Sequence, residues 1–165
     1  MVQKKICMLG AFSVGKTSLV TRFVDSRFSE KYHITVGVRI EKKTLRLDGK
    51  EWHVIIWDLA GEDEFLQIRT SYLRGSSGYL LVADGTRRAT LDTAVRMQQR
   101  VRDTIGDVPF VLMLNKSDLA PEWEVAERSI DALSRRGWTW LNASAKTGAG
   151  VEAAFLSLIG RMEEG

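Results

Sequence analysis

Hydrophobic residues in this chain form short runs that are separated by longer segments of helical periodicity. The runs lie at residues 5–9, 54–57, 79–83, 110–114 and 138–141, and the periodic segments lie at residues 16–25, 65–73, 90–104, 122–136 and 150–162. Short apolar runs predict buried strands, whereas apolar positions three and four residues apart predict helices. Their alternation is typical of a largely parallel sheet with helices on both faces.

Residues 38–47 have a different pattern, because their apolar positions are interspersed with charged ones. Asp48 and Gly49 then offer a tight turn into residues 51–57, which predicts a hairpin. The predicted fold is therefore α/β, with a mostly parallel six-stranded sheet, one antiparallel edge strand and helices on both faces. At the end of the chain, Val151, Phe155 and Leu158 recur at helical spacing, which predicts a stripe that faces the core.

Composition limits the function classes. The 165 residues are 44% hydrophobic, which is enough for one core, so we expect one domain over residues 1–165. The net charge is +3 and the basic residues are scattered in pairs, which argues against nucleic acid as a partner. The lone cysteine, Cys7, is expected in the core of a cytoplasmic monomer. Residues 161–165 contain no cysteine that could accept a prenyl group, so we expect no membrane anchor in this chain.

The sequence GAFSVGKT at residues 10–17 directly follows the first predicted strand and matches the phosphate-loop pattern G-x-x-x-x-G-K-[ST]. Its backbone N–H groups and the following helix N-terminus favour a bound phosphate. Lys16 supplies a charge for the β- and γ-phosphates, and Thr17 supplies a hydroxyl for Mg²⁺. The residues predicted to contact the phosphates are Gly10, Phe12, Ser13, Val14, Gly15, Lys16, Thr17 and Ser18. ATPases and kinases share this motif, so it does not select the base.

Two further motifs follow later strands. NKSD at residues 115–118 and ASAK at residues 143–146 should both emerge at the carboxyl edge of the sheet, where open α/β folds bind ligands. The Asp118 carboxylate can accept hydrogen bonds from N1–H and the exocyclic amine of guanine, whereas adenine has no matching pair of donors. The predicted ligand is therefore GTP or GDP.

With these motifs the chain resembles the Ras superfamily of small GTPases, which are P-loop NTPases with a Ras-like G domain. The resemblance extends from residue 5 to about residue 162 and is Rab-like at residues 36–38, 47–50 and 71–75. It implies that Asn115 braces the phosphate loop and that Lys116 lies along the base. It further implies that the Ala145 N–H meets the guanine oxygen. In the same way Ser144 and Lys146 support that contact, and Phe28 lies against the base.

The resemblance also implies two nucleotide-sensitive loops. Thr35 corresponds to the threonine that binds Mg²⁺ and the γ-phosphate in the GTP state. In DLAG at residues 58–61, Asp58 reaches Mg²⁺ through water and the Gly61 N–H meets the γ-phosphate. Loss of that phosphate would release both loops, so effector, exchange-factor and activating proteins are expected to bind there. The implied catalytic residues are Lys16, Thr35, Gly61 and Glu62.

Two positions depart from the family pattern. Phe12 places bulk where the γ-phosphate and attacking water need space, and Glu62 replaces the usual water-orienting glutamine. A carboxylate adds repulsion beside the phosphoryl group, so hydrolysis should be slow. Alternatively, Glu62 points into solvent and a partner supplies the missing function.

Three questions remain open at this point. The chain is either a slow GTP/GDP switch or a GTP-bound scaffold with negligible hydrolysis. An ATP-dependent phosphoryl-transfer enzyme is a third reading, which residues 115–118 oppose. Trp57 and Tyr72 match two of the three aromatic positions that Rab proteins present to effectors, and Ile40 occupies the third. Trp57 could equally be a core residue.

Overall fold

The computed structural model describes residues 2–25, 38–59 and 70–164. The strands are β1 (Val2–Gly10), β2 (Arg39–Leu47), β3 (Lys50–Asp58), β4 (Ser76–Asp84), β5 (Phe110–Asn115) and β6 (Trp140–Asn142). The helices are α1 (Lys16–Asp25), α2 (Thr70–Leu73), α3 (Arg88–Ile105), α4 (Glu127–Arg135) and α5 (Val151–Glu164), with a 3₁₀ helix at Ser117–Glu122. None of the helices within these described ranges is long and apolar enough to cross a membrane.

The strands of the described residues form one six-stranded sheet in the order β2-β3-β1-β4-β5-β6. Every neighbouring pair is parallel except β2 and β3, which are antiparallel. Asp48 and Gly49 connect those two strands with positive φ angles of 50° and 77°, as a tight hairpin turn requires. The predicted α/β fold, with one antiparallel edge strand, is confirmed.

The sheet separates two hydrophobic layers because successive side chains of a strand point to opposite faces. On β1, Ile6 and Met8 pack into the layer that contains α1 and α5. Cys7 and Leu9 pack into the layer that contains α3 and α4. The predicted stripe on α5 is confirmed, since Phe155 and its neighbours at helical spacing are buried.

The predicted helix over residues 122–136 is wrong in its first turn. Pro121 lies inside the 3₁₀ helix Ser117–Glu122, and α4 begins only at Glu127. The intervening backbone does not make helical bonds, because the N–H groups of Glu124 and Val125 both donate to Gly85 O, at 2.9 and 3.2 Å. A tertiary contact therefore replaces the helical one.

Parallel strands bring their carboxyl ends to the same edge of the sheet. Met8 pairs with Asp58, Gly10 with Val82, and Asp84 with Asn115. The residues that end β1, β3, β4 and β5 are therefore neighbours at one edge of the sheet, which is where open α/β folds bind ligands.

Candidate functional site

The phosphate loop at residues 10–17 connects β1 to α1 and needs glycine at two positions. A Cβ at Gly10 would lie 2.5 Å from Val82 O, which would force the two strands apart. At Gly15 the φ angle is +99°, and a Cβ would lie 2.3 Å from Asn115 Nδ2. Ser13 also has a positive φ, of 60°. The loop is therefore tightly wound against the neighbouring strands, with its N–H groups in a turn suited to an anion.

Lys16 keeps its charged group inside this loop. Its residue exposure is only 6%, and Nζ donates to Gly10 O at 3.1 Å and to Leu59 O at 2.9 Å. A buried ammonium needs polar partners, and these carbonyls are neutral acceptors. Anionic phosphate oxygens would be stronger acceptors for the same group.

Thr17 and Asp58 form the second polar pair of the site. Thr17 Oγ1 donates to Asp58 Oδ2 at 2.5 Å, and the Asp58 residue is fully buried. Asp58 Oδ1 has no hydrogen-bond partner among the described residues. Burial raises the pKa of Asp58, against the opposing effects of Thr17, Lys16 and Arg39. An orphaned carboxylate oxygen beside a hydroxyl is a donor set that fits Mg²⁺.

Asn115 connects the phosphate loop to both later motifs. Its Nδ2 donates to Val14 O at 2.8 Å, and its Oδ1 accepts from the Ala145 N–H at 3.2 Å. Asn115 is 2% exposed, and these two bonds satisfy both of its amide atoms within the protein. These two bonds hold residues 10–17 and residues 143–146 on either side of the end of β5.

Asp118 is exposed and lies just beyond the carboxyl end of β5. Ser144 Oγ donates to Asp118 Oδ1 at 2.8 Å, and the same hydroxyl oxygen accepts from the Thr147 N–H at 3.1 Å. Ser144 is fully buried and thereby fixes the direction of the carboxylate. Lys146 is exposed beside it. A fixed, accessible carboxylate can accept hydrogen bonds from a base edge.

Four predicted site residues lie outside the described residues: Phe28, Thr35, Gly61 and Glu62. Within the described residues, Phe12 is 67% exposed at the loop, and Ser18 is half-buried in the first turn of α1.

Sequence reasoning missed three residues at this edge: Asp84, Arg87 and Trp123. Asp84 ends β4 and accepts from Lys116 Nζ at 2.8 Å. Arg87 Nη2 donates to Phe12 O at 3.0 Å, and Trp123 Nε1 donates to Lys116 O at 2.9 Å. The one available signal was the acidic residue at the carboxyl end of a predicted strand, which is a position typical of ligand sites.

The three positions that Rab proteins present to effectors, here Ile40, Trp57 and Tyr72, lie together on a partly exposed surface beside β3. Ile40 pairs with Trp57 across the hairpin and is 54% exposed. The rings of Trp57 and Tyr72 lie 6.0 Å apart, and Lys5 Nζ lies 3.7 Å from the centroid of the Trp57 ring. Trp57 is therefore neither fully buried nor fully exposed, and a cation covers one face of its indole.

The Ras-family model matches residues 5–164 of this chain. The chain belongs to the Ras family. It is also 35% identical over 161 residues to the Ras-related protein RABA2c of Arabidopsis thaliana, which covers 96% of this chain and 74% of the plant protein. The resemblance inferred from the motifs, a Rab-like small GTPase of the Ras superfamily, is confirmed. Membership of the Ras family identifies the chain as a GTP-binding switch protein of a GTPase family.

Proposed function

We propose that this Ras-family chain binds GTP and GDP with Mg²⁺ at the carboxyl edge of its sheet and hydrolyses GTP slowly. The observation that carries the proposal is that Asn115 donates to Val14 O through Nδ2 and accepts from the Ala145 N–H through Oδ1. These bonds hold residues 10–17 and residues 143–146 on either side of the end of β5, which supports a site where one nucleotide contacts both segments. Residues 1–165 would act as one Ras-like G domain and as a cytoplasmic monomer.

The base is proposed to lie between residues 115–118 and residues 143–146. Asp118, oriented by Ser144, accepts from the guanine N1–H and amine. The Ala145 N–H, which donates to Asn115 Oδ1 at 3.2 Å, would share its proton between that oxygen and the guanine oxygen in a three-centre hydrogen bond. Lys116 and Phe28 enclose the ring, and Lys146 supports the loop. This donor and acceptor pattern opposes adenine, so it also opposes the alternative of an ATP-dependent phosphoryl-transfer enzyme.

Mg²⁺ is proposed to be held by Thr17 and Thr35 directly and by Asp58 through water. The support within the described residues is the buried Asp58 Oδ1, which has no hydrogen-bond partner among them. When bound, the ion supplies positive charge that neutralises the phosphates. Thr17 Oγ1 can keep the hydrogen bond that it donates to Asp58 and still present a lone pair to the ion, because a hydroxyl oxygen has two lone pairs besides its proton.

Catalysis is proposed to depend on Lys16, Thr35, Gly61 and Glu62. Lys16 exchanges the carbonyls of Gly10 and Leu59 for phosphate oxygens and stabilises charge that develops in the transition state. Glu62 provides no donor for that charge, and Phe12 crowds the attacking water, so turnover is slow. Family membership does not favour the alternative of a scaffold with negligible hydrolysis.

Effector, exchange-factor and activating proteins are proposed to bind at the two switch loops. The surface of Ile40, Trp57 and Tyr72 adjoins the described ends of those loops, which supports a role in signalling contacts. Trp57 there offers an apolar ring with a neighbouring cation, as protein interfaces commonly do.

The test begins with the nucleotide that co-purifies with the protein. We expect mainly GDP, and we expect unlabelled GTP, but not ATP, to displace a fluorescent GDP. Single-turnover hydrolysis in Mg²⁺ should then proceed at or below about 10⁻⁴ per second. Equal competition by ATP would overturn the base assignment. Purification with intact GTP that is not hydrolysed would instead support the scaffold.

Magnesium is tested separately by chelation. Removing Mg²⁺ should accelerate release of fluorescent GDP from the wild type. Thr17→Asn should weaken GTP binding relative to GDP binding, since the ion would neutralise more negative charge in the triphosphate than in the diphosphate. Equal loss of both nucleotides in that variant would contradict the proposed metal role.

A further inference from the structure

The junction between β4 and α3 lies between the phosphate loop at residues 10–17 and residues 115–118, here called the base loop, because β4 lies between β1 and β5 in the sheet. Asp84, the last residue of β4, has a side chain with no exposed area. Its Oδ2 accepts from Lys116 Nζ at 2.8 Å and from Arg87 Nε at 3.0 Å. Its Oδ1 accepts from the Thr86 N–H at 2.9 Å and from Thr86 Oγ1 at 2.7 Å. One buried carboxylate therefore connects Lys116 to the turn that leads from β4 into α3.

This carboxylate is ionised at neutral pH. Burial alone would raise the pKa of Asp84, but the hydrogen bonds from Lys116, Thr86 and Arg87 together outweigh it and lower the pKa to about 2. Buried charges persist only when they are paired and hydrogen-bonded. Asp84 thus holds two cations in fixed positions, and removing its charge would leave both without this partner.

Each of the two cations has a second attachment. Arg87 Nη2 donates to Phe12 O at 3.0 Å, so the guanidinium bridges Asp84 and the phosphate loop. The Lys116 backbone has a left-handed conformation, with φ 69° and ψ 36°, and its carbonyl accepts from Trp123 Nε1 at 2.9 Å. A non-glycine residue is strained in that region, so surrounding contacts must hold it there.

We propose that Asp84 and Arg87 are positioning residues for the nucleotide: Asp84 fixes the Lys116 side chain beside the base, and Arg87 fixes the phosphate loop through Phe12 O. This inference rests on the proposed nucleotide site. Neither residue is assigned any contact with the ligand. Their effect would be to hold the base loop and the phosphate loop in fixed relative positions, both before the nucleotide binds and while it is bound.

Charge alone makes the opposite prediction, which makes the inference testable. Asp84 is an acid near a site for a polyanion, so replacing it by a neutral residue should strengthen binding if only long-range electrostatics matter. A positioning role predicts weaker binding, because Lys116 and Arg87 lose their fixed places. Similarly, Arg87→Lys keeps the charge but removes the planar fork that reaches Asp84 and Phe12 together.

The experiment measures association and dissociation of N-methylanthraniloyl-GDP by stopped flow for the full chain. We expect Asp84→Asn to raise the dissociation rate by about tenfold, as the loss of charged hydrogen bonds would allow, with little change in the association rate. Arg87→Lys should raise it severalfold. The matched controls are Asp107→Asn and Arg102→Lys, which remove an exposed Asp–Arg pair of 3.0 Å at the other end of α3 and should leave both rates unchanged.

A double-mutant cycle separates positioning from general destabilisation. In a Lys116→Ala background, Asp84→Asn should raise the dissociation rate by less than it does in the wild type. Unchanged or slower dissociation in both Asp84→Asn and Arg87→Lys would overturn the inference, as would full additivity in the cycle. If Asp84→Asn does not fold, Arg87→Lys decides. Failure of the wild type to retain the fluorescent GDP would instead overturn the proposed nucleotide site.

Discussion

Asn115 and Asp118 belong to one motif but differ in what each contributes. Asn115 is buried and uses both amide atoms within the protein, whereas Asp118 is exposed and engages Ser144 through one oxygen. Changes at Asn115 should therefore reduce stability and binding together, because a buried polar partner is lost. Changes at Asp118 should reduce ligand binding with little effect on stability, which makes Asp118 the better test of base selection.

Asp118→Asn is expected to weaken GTP binding by about 2 kcal/mol or more, because the amide can no longer accept from both guanine donors. The amide can donate to the extra oxygen of xanthine, so preference should move toward XTP. Titrations with both nucleotides measure the change. Asp131→Asn, an exposed acid on α4, is the control and should bind GTP normally. Unchanged GTP affinity in Asp118→Asn would show that the base is bound elsewhere.

Phe12 and Glu62 are expected to limit the rate of hydrolysis rather than affinity. Phe12 is 67% exposed, so Phe12→Gly removes bulk at the loop without removing a core residue. Combined with Glu62→Gln, it should raise single-turnover hydrolysis by about tenfold if about 1.4 kcal/mol of barrier is recovered. The two effects should be non-additive, because both concern one water and one phosphoryl group.

The control for this pair is Glu152→Gln, an exposed acid on α5. It should leave hydrolysis unchanged. Rapid hydrolysis by the wild type, slowed by Glu62→Gln, would mean that the carboxylate is itself a working catalytic group.

At the scale of elements, the segment before α4 differs most from its prediction. Its helical periodicity suggested continuous helix from residue 122, but Trp123 instead packs on Gly85, where a Cβ would lie 2.2 Å from the indole ring. Periodicity reports which side chains are apolar and not which neighbour will bury them. The strands, the phosphate loop and α1 were predictable because their patterns are local, whereas this contact joins separate loops.

Gly85→Ala is expected to destabilise the protein by about 1–3 kcal/mol, because the added methyl group displaces Trp123. The displacement should also disturb the Trp123 hydrogen bond to Lys116 O, so fluorescent GDP should dissociate faster. Denaturant unfolding measures the first effect. Gly160→Ala is the matched control, since a Cβ there meets nothing within 4 Å inside α5. That change should stabilise by up to about 1 kcal/mol. Equal stability changes in the two variants would contradict the packing argument.

Across the whole molecule, the two ends of the parallel strands have different roles. The carboxyl ends lead into loops that contain Ser13 and Lys116, both at positive φ, and these loops form the candidate site. Near the opposite ends, Tyr79 stacks on Phe110 at 5.2 Å, and Phe110 meets the edge of Trp138 at 4.9 Å. Of the three non-glycine residues with positive φ in the described ranges, two therefore lie in loops of the candidate site and the third, Asp48, lies in the β2–β3 hairpin. The cluster of Tyr79, Phe110 and Trp138 lies toward the opposite ends of the strands.

This separation explains which parts of the site could be predicted from sequence. Phosphate and base motifs are contiguous, so each is visible as a pattern of letters. The Arg87 contact with Phe12 joins residues 75 positions apart, and neither residue type signals it. Asp84 likewise gains its role only because β4 lies between β1 and β5 in the sheet. Contacts of this kind depend on strand order, which a motif does not contain.

The aromatic cluster leads to a pH prediction that is independent of the nucleotide site. Burial raises the pKa of Tyr79 to about 12, although a hydrogen bond with Gln98 acts in the opposite direction. In the unfolded chain a tyrosine titrates near pH ~10. Between these values the unfolded state releases its proton first, so stability falls as pH rises from about 10 to about 12.

Tyr79→Phe removes this ionisation. It also removes the hydrogen bond to Gln98, so the buried Gln98 side chain loses a partner. At neutral pH the variant should therefore be less stable than the wild type by about 1 kcal/mol. As the pH rises above ~10 the wild type should lose stability faster, so the difference narrows by on the order of 1 kcal/mol before pH ~12. Urea unfolding at a series of pH values measures both curves. Release of fluorescent GDP at neutral pH should be the same in the two proteins, because Tyr79 lies away from the nucleotide loops. A constant difference in stability from pH ~7 to ~12 would mean that the Tyr79 hydroxyl ionises as readily in the folded protein as in the unfolded chain, and would refute the inferred effect of burial.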